Sequence, residues 1–303
     1  MKFNIIIWGV GAIYNKHVNT LKYLEYKEEV EVVAVTARGY SFLKKIDGYP
    51  VIDKDRITDT SFDYLIIMSE KGRDEILYEA LELGVPREKI LPYKILDIPN
   101  LNFHEYIKLK KSKISIISNN CWGGLVYETL GLECISPFKN LFLVEKEYLK
   151  LLSNMKYYLE LPLELDRYAL DDSGEKRYPI MRLGDVEVHC NHDTEAEKAQ
   201  VNWNRRCKKI NYDNLFVEMY TESKKLAEEF LKINYKKKVC FVPFESKSDE
   251  LIYVQKVNNQ KEFWESVNSN AGIGNGSYSY DIIKLLLREK SFSRCENTKS
   301  KHS

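Results

Sequence analysis

The sequence predicts an α/β protein, a small parallel-sheet domain followed by a larger α/β domain. Three observations carry the expectation. Near-continuous apolar runs at residues 30–36 (VEVVAVT) and 64–68 (YLIIM) mark strands covered on both faces, as in a parallel sheet. A strand running into a glycine turn that opens a helix occurs twice, at Gly9-Val10-Gly11 and at residues 118–124 (SNNCWGG). The length of 303 residues suits two domains of about 150 each.

The elements follow in order. Residues 2–8 form a short β-rich run ending at the first glycine pair, and a helix is expected over 12–26. The second strand is 30–36 and the third 64–68. A helix over about 72–83 should stop at Gly84-Val85-Pro86, a glycine C-terminal signal followed by proline. Residues 89–91 close the sheet. The β-α-β order with short connections predicts a small doubly wound sheet over residues 1–112. The charged stretch 108–113 (KLKKSK) reads as a solvated connector, with the linker at about 100–112. The second domain, 113–290, restarts with a strand at 114–118. Strands are expected at 140–144, 186–190, 215–219, 239–242 and 251–254. Helices are expected near 146–155, 194–209, 221–232 and 261–267. The residues from 291 to 303 read as a polar tail.

Composition excludes more than it suggests. Lys plus Arg is 46 and Asp plus Glu is 45, a net charge of +1, and neither domain is polarised. That argues against a nucleic-acid partner or an anionic membrane surface, both of which reward a basic excess. With 44% hydrophobic and 30% charged residues the chain reads as globular and soluble. No apolar run approaches the ~18 residues of a membrane span and no signal-peptide pattern is present, so the expected compartment is the cytoplasm. The six cysteines are scattered without a CxxC pair, which suggests reduced thiols rather than disulfides or zinc.

At the first turn, Gly9 and Gly11 permit a tight bend and a close approach of phosphate to a helix N-terminus, the Rossmann-like device for a nucleotide. The third glycine of the full fingerprint is replaced by Tyr14. No acidic ribose ligand follows the second strand; Arg38 stands there instead and suits a 2′-phosphate. The readings left open are a scaffold without cofactor, a nucleotide or nucleotide-sugar site, and NADP. The runs IIIWGVG, GYPVID, FDYLIIMS and EALELGVPREKILPY resemble the small Rossmann-like N-terminal domains attached to bacterial sugar-modifying and glycan-assembly proteins.

The second turn adds polar groups at the carboxyl end of a strand, where α/β sheets bind ligands. Ser118, Asn119, Asn120, Trp122, Gly123 and Gly124 are the candidate substrate-binding residues: the carboxamides suit sugar hydroxyls and the indole suits stacking, against the alternative that Trp122 is core. The runs ISIISNNCWGG, LGLECISPFKNLFL and NRRCKKINYDNLFV look like a group of bacterial proteins from exopolysaccharide and capsule loci. The resemblance implies a role in cell-surface polysaccharide assembly and hands over no reaction and no catalytic residues.

His189 and His192 flank a turn that ends in Asp193. His192 is the candidate base, oriented by Asp193, with His189 as its companion, against the alternative that Asp193 supports the helix start and both rings are simple hydrogen-bonders. No third ligand accompanies the HxxH spacing, so no metal is assigned. Thr194-Glu-Ala-Glu197 reads as a capping box opening a helix whose buried face carries Ala196, Ala199, Trp203, Cys207 and Ile210. Arg206, at the edge of that face, is the candidate phosphate contact; Arg205 reads as surface. Arg205, Arg206, Lys208 and Lys209, with Asn211, Asp213 and Asn214 behind them, suit a diphosphate and ribose or equally a solvated helix end, and Lys236–Lys238 reads as a surface turn. The glycine-rich residues 272–277 read as a loop.

Two function classes follow. The first is a transferase moving a sugar or a substituent from an activated donor, with a phosphorylated sugar or nucleotide as partner. The second is a non-catalytic nucleotide-binding module that mediates a homodimer. NADP-linked oxidoreduction ranks below both.

Overall fold

The structure, a computed structural model, describes residues 1–39, 42–171, 173–256, 262–271 and 280–288. The glycine-rich residues 272–277, the tail from 291 and Cys295 lie outside the described residues. The chain divides into two compact units, Met1–Lys110 with Thr129–Gly131, and Lys111–Glu128 with Leu132–Ser303. It is an α/β fold.

The first unit runs β1 (Phe3–Trp8), α1 (Ala12–Tyr26), β2 (Val30–Thr36), β3 (Lys45–Ile46), β4 (Tyr49–Pro50), β5 (Tyr64–Ile67), α2 (Arg73–Glu82), β6 (Ile90–Pro92) and α3 (Phe103–Lys111). Its main sheet has the order β2-β1-β5-β6 with every pairing parallel. Ile5, Ile6 and Ile7 are fully buried because both faces of β1 are covered, which is why its sequence does not alternate. On α1, Tyr14, His17, Leu21 and Leu24 form the buried stripe at helical spacing. Gly84 has φ +86°, the left-handed position one residue past the C-cap of α2.

Residues 103–111 are a helix and not the expected connector. Phe103, Tyr106, Ile107 and Leu109 are buried, and Tyr106 Oη donates to Leu130 O at 2.8 Å. The lysines of KLKKSK mask an i, i+3, i+4 apolar stripe that needs only half the helix surface.

The second unit runs β7 (Ser115–Ser118), α4 (Trp122–Thr129), α5 (Glu145–Ser153), α6 (Met155–Glu160), β8 (Leu163–Leu170), β9 (Arg177–Leu183), β10 (Val186–His189), α7 (Ala196–Cys207), β11 (Leu215–Tyr220), α8 (Lys224–Leu231), β12 (Lys238–Val242), β13 (Leu251–Tyr253), α9 (Phe263–Ala271) and α10 (Ile282–Leu287). A parallel sheet has the order β13-β12-β11-β7. Between β7 and β11 the chain inserts an antiparallel meander, β8-β9-β10. Two of its strands are absent from the sequence expectation. β8 is exposed along most of its length, so burial imposes no apolar pattern on it. The strand expected at 140–144 is reduced to one bridge, Phe142 with His189.

Lys238 also departs from the expectation of a surface turn. It is 5% exposed, and its ammonium donates to the carbonyls of Leu231 and Ile233, both at 2.6 Å. It therefore neutralises the orphan carbonyls at the C-terminal end of α8, where the helix dipole favours a cation.

Candidate functional site

The 118–124 turn is closed by hydrogen bonds of its own and tied by others to neighbouring elements. Ser118 Oγ donates to Asn120 O at 3.1 Å and accepts from Gly123 N at 3.3 Å. Asn119 Oδ1 accepts from Tyr220 N at 3.1 Å, so this side chain extends the β7–β11 ladder by one rung. Asn120 Oδ1 accepts from Trp122 N at 2.8 Å and closes the turn at the start of α4. A Cβ on Gly123 would stand 2.7 Å from Ser118 Oγ and 2.9 Å from Ile116 Cγ2, so glycine is needed for α4 to lie on β7. On Gly124 a Cβ would meet Lys139 Cγ at 3.3 Å.

Trp122 belongs to the core and is not a platform for sugar. It is fully buried, stacked on Phe216 and tilted against Phe241, and its Nε1 donates to Tyr280 Oη at 2.8 Å. Both the apolar ring and its one polar atom are satisfied by protein.

What the turn presents outward is Cys121. It is half-buried, and its carbonyl accepts the first helical bond of α4, from Leu125 N at 3.0 Å. Its Sγ lies 3.3 Å from His192 Nε2. His192 reaches this point because residues 190–193 turn sharply after β10, with Asp193 N donating to Cys190 O at 2.9 Å. Lys176, just before β9, donates from Nζ to Asn191 O at 2.9 Å and pins the same turn. Burial of part of the ring, together with Lys176, holds the His192 pKa below the usual histidine value, while Asp193 acts in the opposite direction. Asp193 thus acts through its charge. Burial pushes the Cys121 thiol up. The pair therefore rests at neutral pH as thiol and imidazole, a nucleophile with a base at hydrogen-bond range.

His189 does not join it. Its ring stacks on Phe142 at 4.3 Å between centroids, its Nδ1 lies 3.2 Å from Tyr178 Oη, and its Nε2 lies 3.0 Å from Glu187 Oε1. Alternation along β10 and the following turn send the two rings to different partners. Burial lowers the His189 pKa against the pull of Glu187. His17, on α1, is lowered by burial too. A folded pKa below the unfolded one means that the unfolded chain takes up the extra proton. The stability is then complete above the unfolded value near about 6.5 and is lost as pH falls through it. Glu187 and Asp166, held low by Arg167 and Arg182, lose their contribution only in more acidic solution. The urea midpoint is therefore expected to fall between about pH 7 and pH 5, and to fall less in His189→Gln. An equal fall in that variant would remove His189 as a source.

Arg206 is committed as well: Nη1 donates to Lys139 O at 3.0 Å, which ties α7 to the segment packed on Gly124. Its charge reaches Cys190, whose thiol burial pushes up to about 12. The capping box is not formed, since α7 starts at Ala196 with no side-chain cap. Ala196, Ala199 and Trp203 are its buried face, as the spacing predicts. The NYDN run is structural: Asn211 Nδ2 donates to Lys113 O and Asn214 Nδ2 to Ser112 O, both at 2.9 Å.

In the first unit, Gly9 has φ +110°, and a Cβ there would lie 2.9 Å from Met68 O, so this glycine serves the fold. Gly11 precedes α1 with open space around it. Arg38, the candidate for a 2′-phosphate, is exposed and paired with two carboxylates of α2. Its Nη2 donates to Glu75 Oε1 at 2.9 Å and also to Glu79. The hollow lined by Trp8, Thr36, Arg38, Gly39, Asp53 and Lys54 holds about 120 Å³. Small-molecule pockets run to about 300–1,000 Å³, so this one does not suit a dinucleotide.

No helix among the described residues is long and apolar enough to cross a membrane. Nor does any group of three His, Cys, Asp or Glu side chains among them stand ready to hold a metal.

The family model described as Domain of unknown function (DUF1919) matches residues 93–286. The chain belongs to this DUF1919 family. The match takes in the 118–124 turn, His192 and Arg206. Residues 1–91 match a second model, described as C2185-like, N-terminal. The chain is also similar to an uncharacterised protein of Haemophilus influenzae, 33% identical over 138 residues, which is 44% of this chain. The match spans 64% of that relative's length. None of these descriptions names an exopolysaccharide locus, a substrate or a reaction.

Cys121 is the residue that the sequence reading passed over. It is one of six scattered thiols in the sequence, and it stands directly before the first residue of α4. Its partner is remote in sequence, and only the fold brings His192 to it.

Proposed function

We propose that this chain is a transferase of cell-surface polysaccharide assembly that carries a substituent, an acyl group, on Cys121. One observation carries the reaction class: a thiol at the first turn of a helix, 3.3 Å from an imidazole nitrogen. The polysaccharide setting rests on the resemblance of the SNNCWGG and NRRCKKINYDNLFV runs, and a phosphorylated sugar is the acceptor it suggests.

His192 Nε2 takes the thiol proton as Cys121 Sγ bonds to the carbonyl carbon of an activated acyl donor. The bond from that carbon to the donor's leaving group breaks, and the leaving group departs with the proton. A sugar hydroxyl then attacks the thioester and gives its proton to His192. The carbon–sulfur bond breaks, and Sγ recovers the proton. The partial positive charge at the N-terminus of α4 favours the thiolate as it forms.

The test uses p-nitrophenyl acetate as the donor and intact mass as the readout. One acetyl group is expected on the wild-type chain, mapping to the peptide that contains Cys121, and none on Cys121→Ala. Acetylation that persists in Cys121→Ala, or that maps to Cys134 or Cys207, would overturn the assignment.

A further inference from the structure

Glu218 is the one acidic residue in the apolar strand β11, and the reaction just described does not use it. It is fully buried. The register places it beside Ser118 of β7 and Val239 of β12, so its side chain leaves the sheet on the face that carries Ile116, Ser118, Phe216 and Phe241. That is the face covered by α4 and Trp122. Neither carboxyl oxygen of Glu218 has a hydrogen-bond partner of ordinary geometry, and neither has Asn120 Nδ2, which is also buried. Ser118, the register neighbour of Glu218, holds Asn120 O at 3.1 Å, and the Asn120 amide acts on the carboxyl against the effect of burial. The other end of the same amide, Asn120 Oδ1, holds Trp122 N and with it the turn that carries Cys121.

We propose that Glu218 is a positioning residue, whose carboxyl backs Asn120 from beneath and thereby fixes the turn that presents Cys121 to His192. Burying a carboxyl without a partner is costly, and a fold that needed only volume here would do better with leucine or methionine. The ionisable groups on which its charge would bear are Cys240 of β12, Tyr148 of α5, Tyr220 of β11 and Tyr280, and none is a cation. Burial raises the Glu218 pKa well above the usual carboxylate value, with Asn120 acting against it. The group is therefore a neutral acid, whose shape and carbonyl oxygen glutamine reproduces.

The inference rests on the reading of Cys121 as a nucleophile paired with His192, and the test separates the two. The rate of Cys121 alkylation by iodoacetamide is followed against pH by peptide mapping. Wild type is compared with Glu218→Gln, Glu218→Asp, Glu218→Met and His192→Ala, with thermal unfolding of each. Glu218→Gln is expected to keep the wild-type profile. Glu218→Met and Glu218→Asp are expected to lose about tenfold or more and to shift the profile toward that of His192→Ala, because small misplacements of reacting groups cost factors of this size. A merely structural role would lower the unfolding temperature and leave the profile alone. Glu218→Asp is the smallest change and reads out the result if Glu218→Met does not fold. A wild-type profile in a folded Glu218→Asp or Glu218→Met, or a loss in Glu218→Gln, overturns the proposal. A His192→Ala profile identical to wild type overturns the nucleophile reading instead.

Discussion

Trp122→Ala is expected to lower the free energy of unfolding by about 3–5 kcal/mol, the range for deleting a large aromatic from a packed interior. The ring has no exposed surface, so its whole apolar area is returned to water in the unfolded state. Alanine leaves a void against Phe216 and Phe241, whose ring centroids stand 6.0 and 5.4 Å away. It also removes the donor to Tyr280 Oη, a hydroxyl that is itself buried, and an unpaired buried hydroxyl adds about 1–3 kcal/mol of its own. Trp122→Phe separates the two effects, since it keeps most of the packing and loses only the indole N–H. Urea unfolding followed by circular dichroism measures both variants. Wild-type stability in Trp122→Ala would contradict the core placement and return the indole to the list of ligand contacts.

The second large effect concerns the rate of acyl transfer to Cys121. His192→Ala is expected to slow acetylation of Cys121 by about 10²-fold or more at neutral pH, the lower end of what a positioned base contributes. The pH dependence should change with it. In wild type the rate rises as His192 loses its proton, at a pH below the ordinary histidine value, because burial and Lys176 disfavour the imidazolium. In His192→Ala the rise should move to the titration of the thiol itself, which burial places above its ordinary value. Burst kinetics with p-nitrophenyl acetate across about pH 5–10 measure both curves. Superimposable profiles would show that the 3.3 Å contact does no chemistry. Asp193→Asn is expected to move the wild-type curve slightly toward lower pH, since Asp193 favours the protonated ring through its charge.

The fold was legible where one physical rule acts on neighbouring residues. The apolar run of β2 needs burial on both faces and nothing else, and its bounds, Val30–Thr36, follow directly from the sequence. The same holds for α1 at Ala12–Tyr26, for the glycine stop after α2 and for the buried face of α7. Legibility failed where polar residues disguise an element. In α3 the lysines conceal Tyr106 and Ile107, and in β8 exposure removes the alternation that identifies a strand. Charge was misleading in the same way. Arg38 and Arg206 read as phosphate contacts and Lys238 as part of a surface turn, and each bonds to a carboxylate or to backbone carbonyls.

The candidate site divides along a similar line. The sequence located the strand–turn–helix at 118–124 and named His192 and Asp193, because turn chemistry and helix starts are local. It did not join His192 to Cys121, which are 71 residues apart in the chain. Nor did it tell His192, which faces a thiol, from His189, which stacks on Phe142. By itself, then, the sequence determined the α/β class, the order of most strands and the two glycine turns, since propensity, burial period and backbone freedom operate over a few residues. Only the tertiary structure decided which polar groups are consumed by the fold and which are left to act. That follows from the meander inserted between β7 and β11, which sets the 190–193 turn against Cys121, and from long-range packing that satisfies Asn119, Trp122, Arg38 and Arg206 with partners from other elements of their own units.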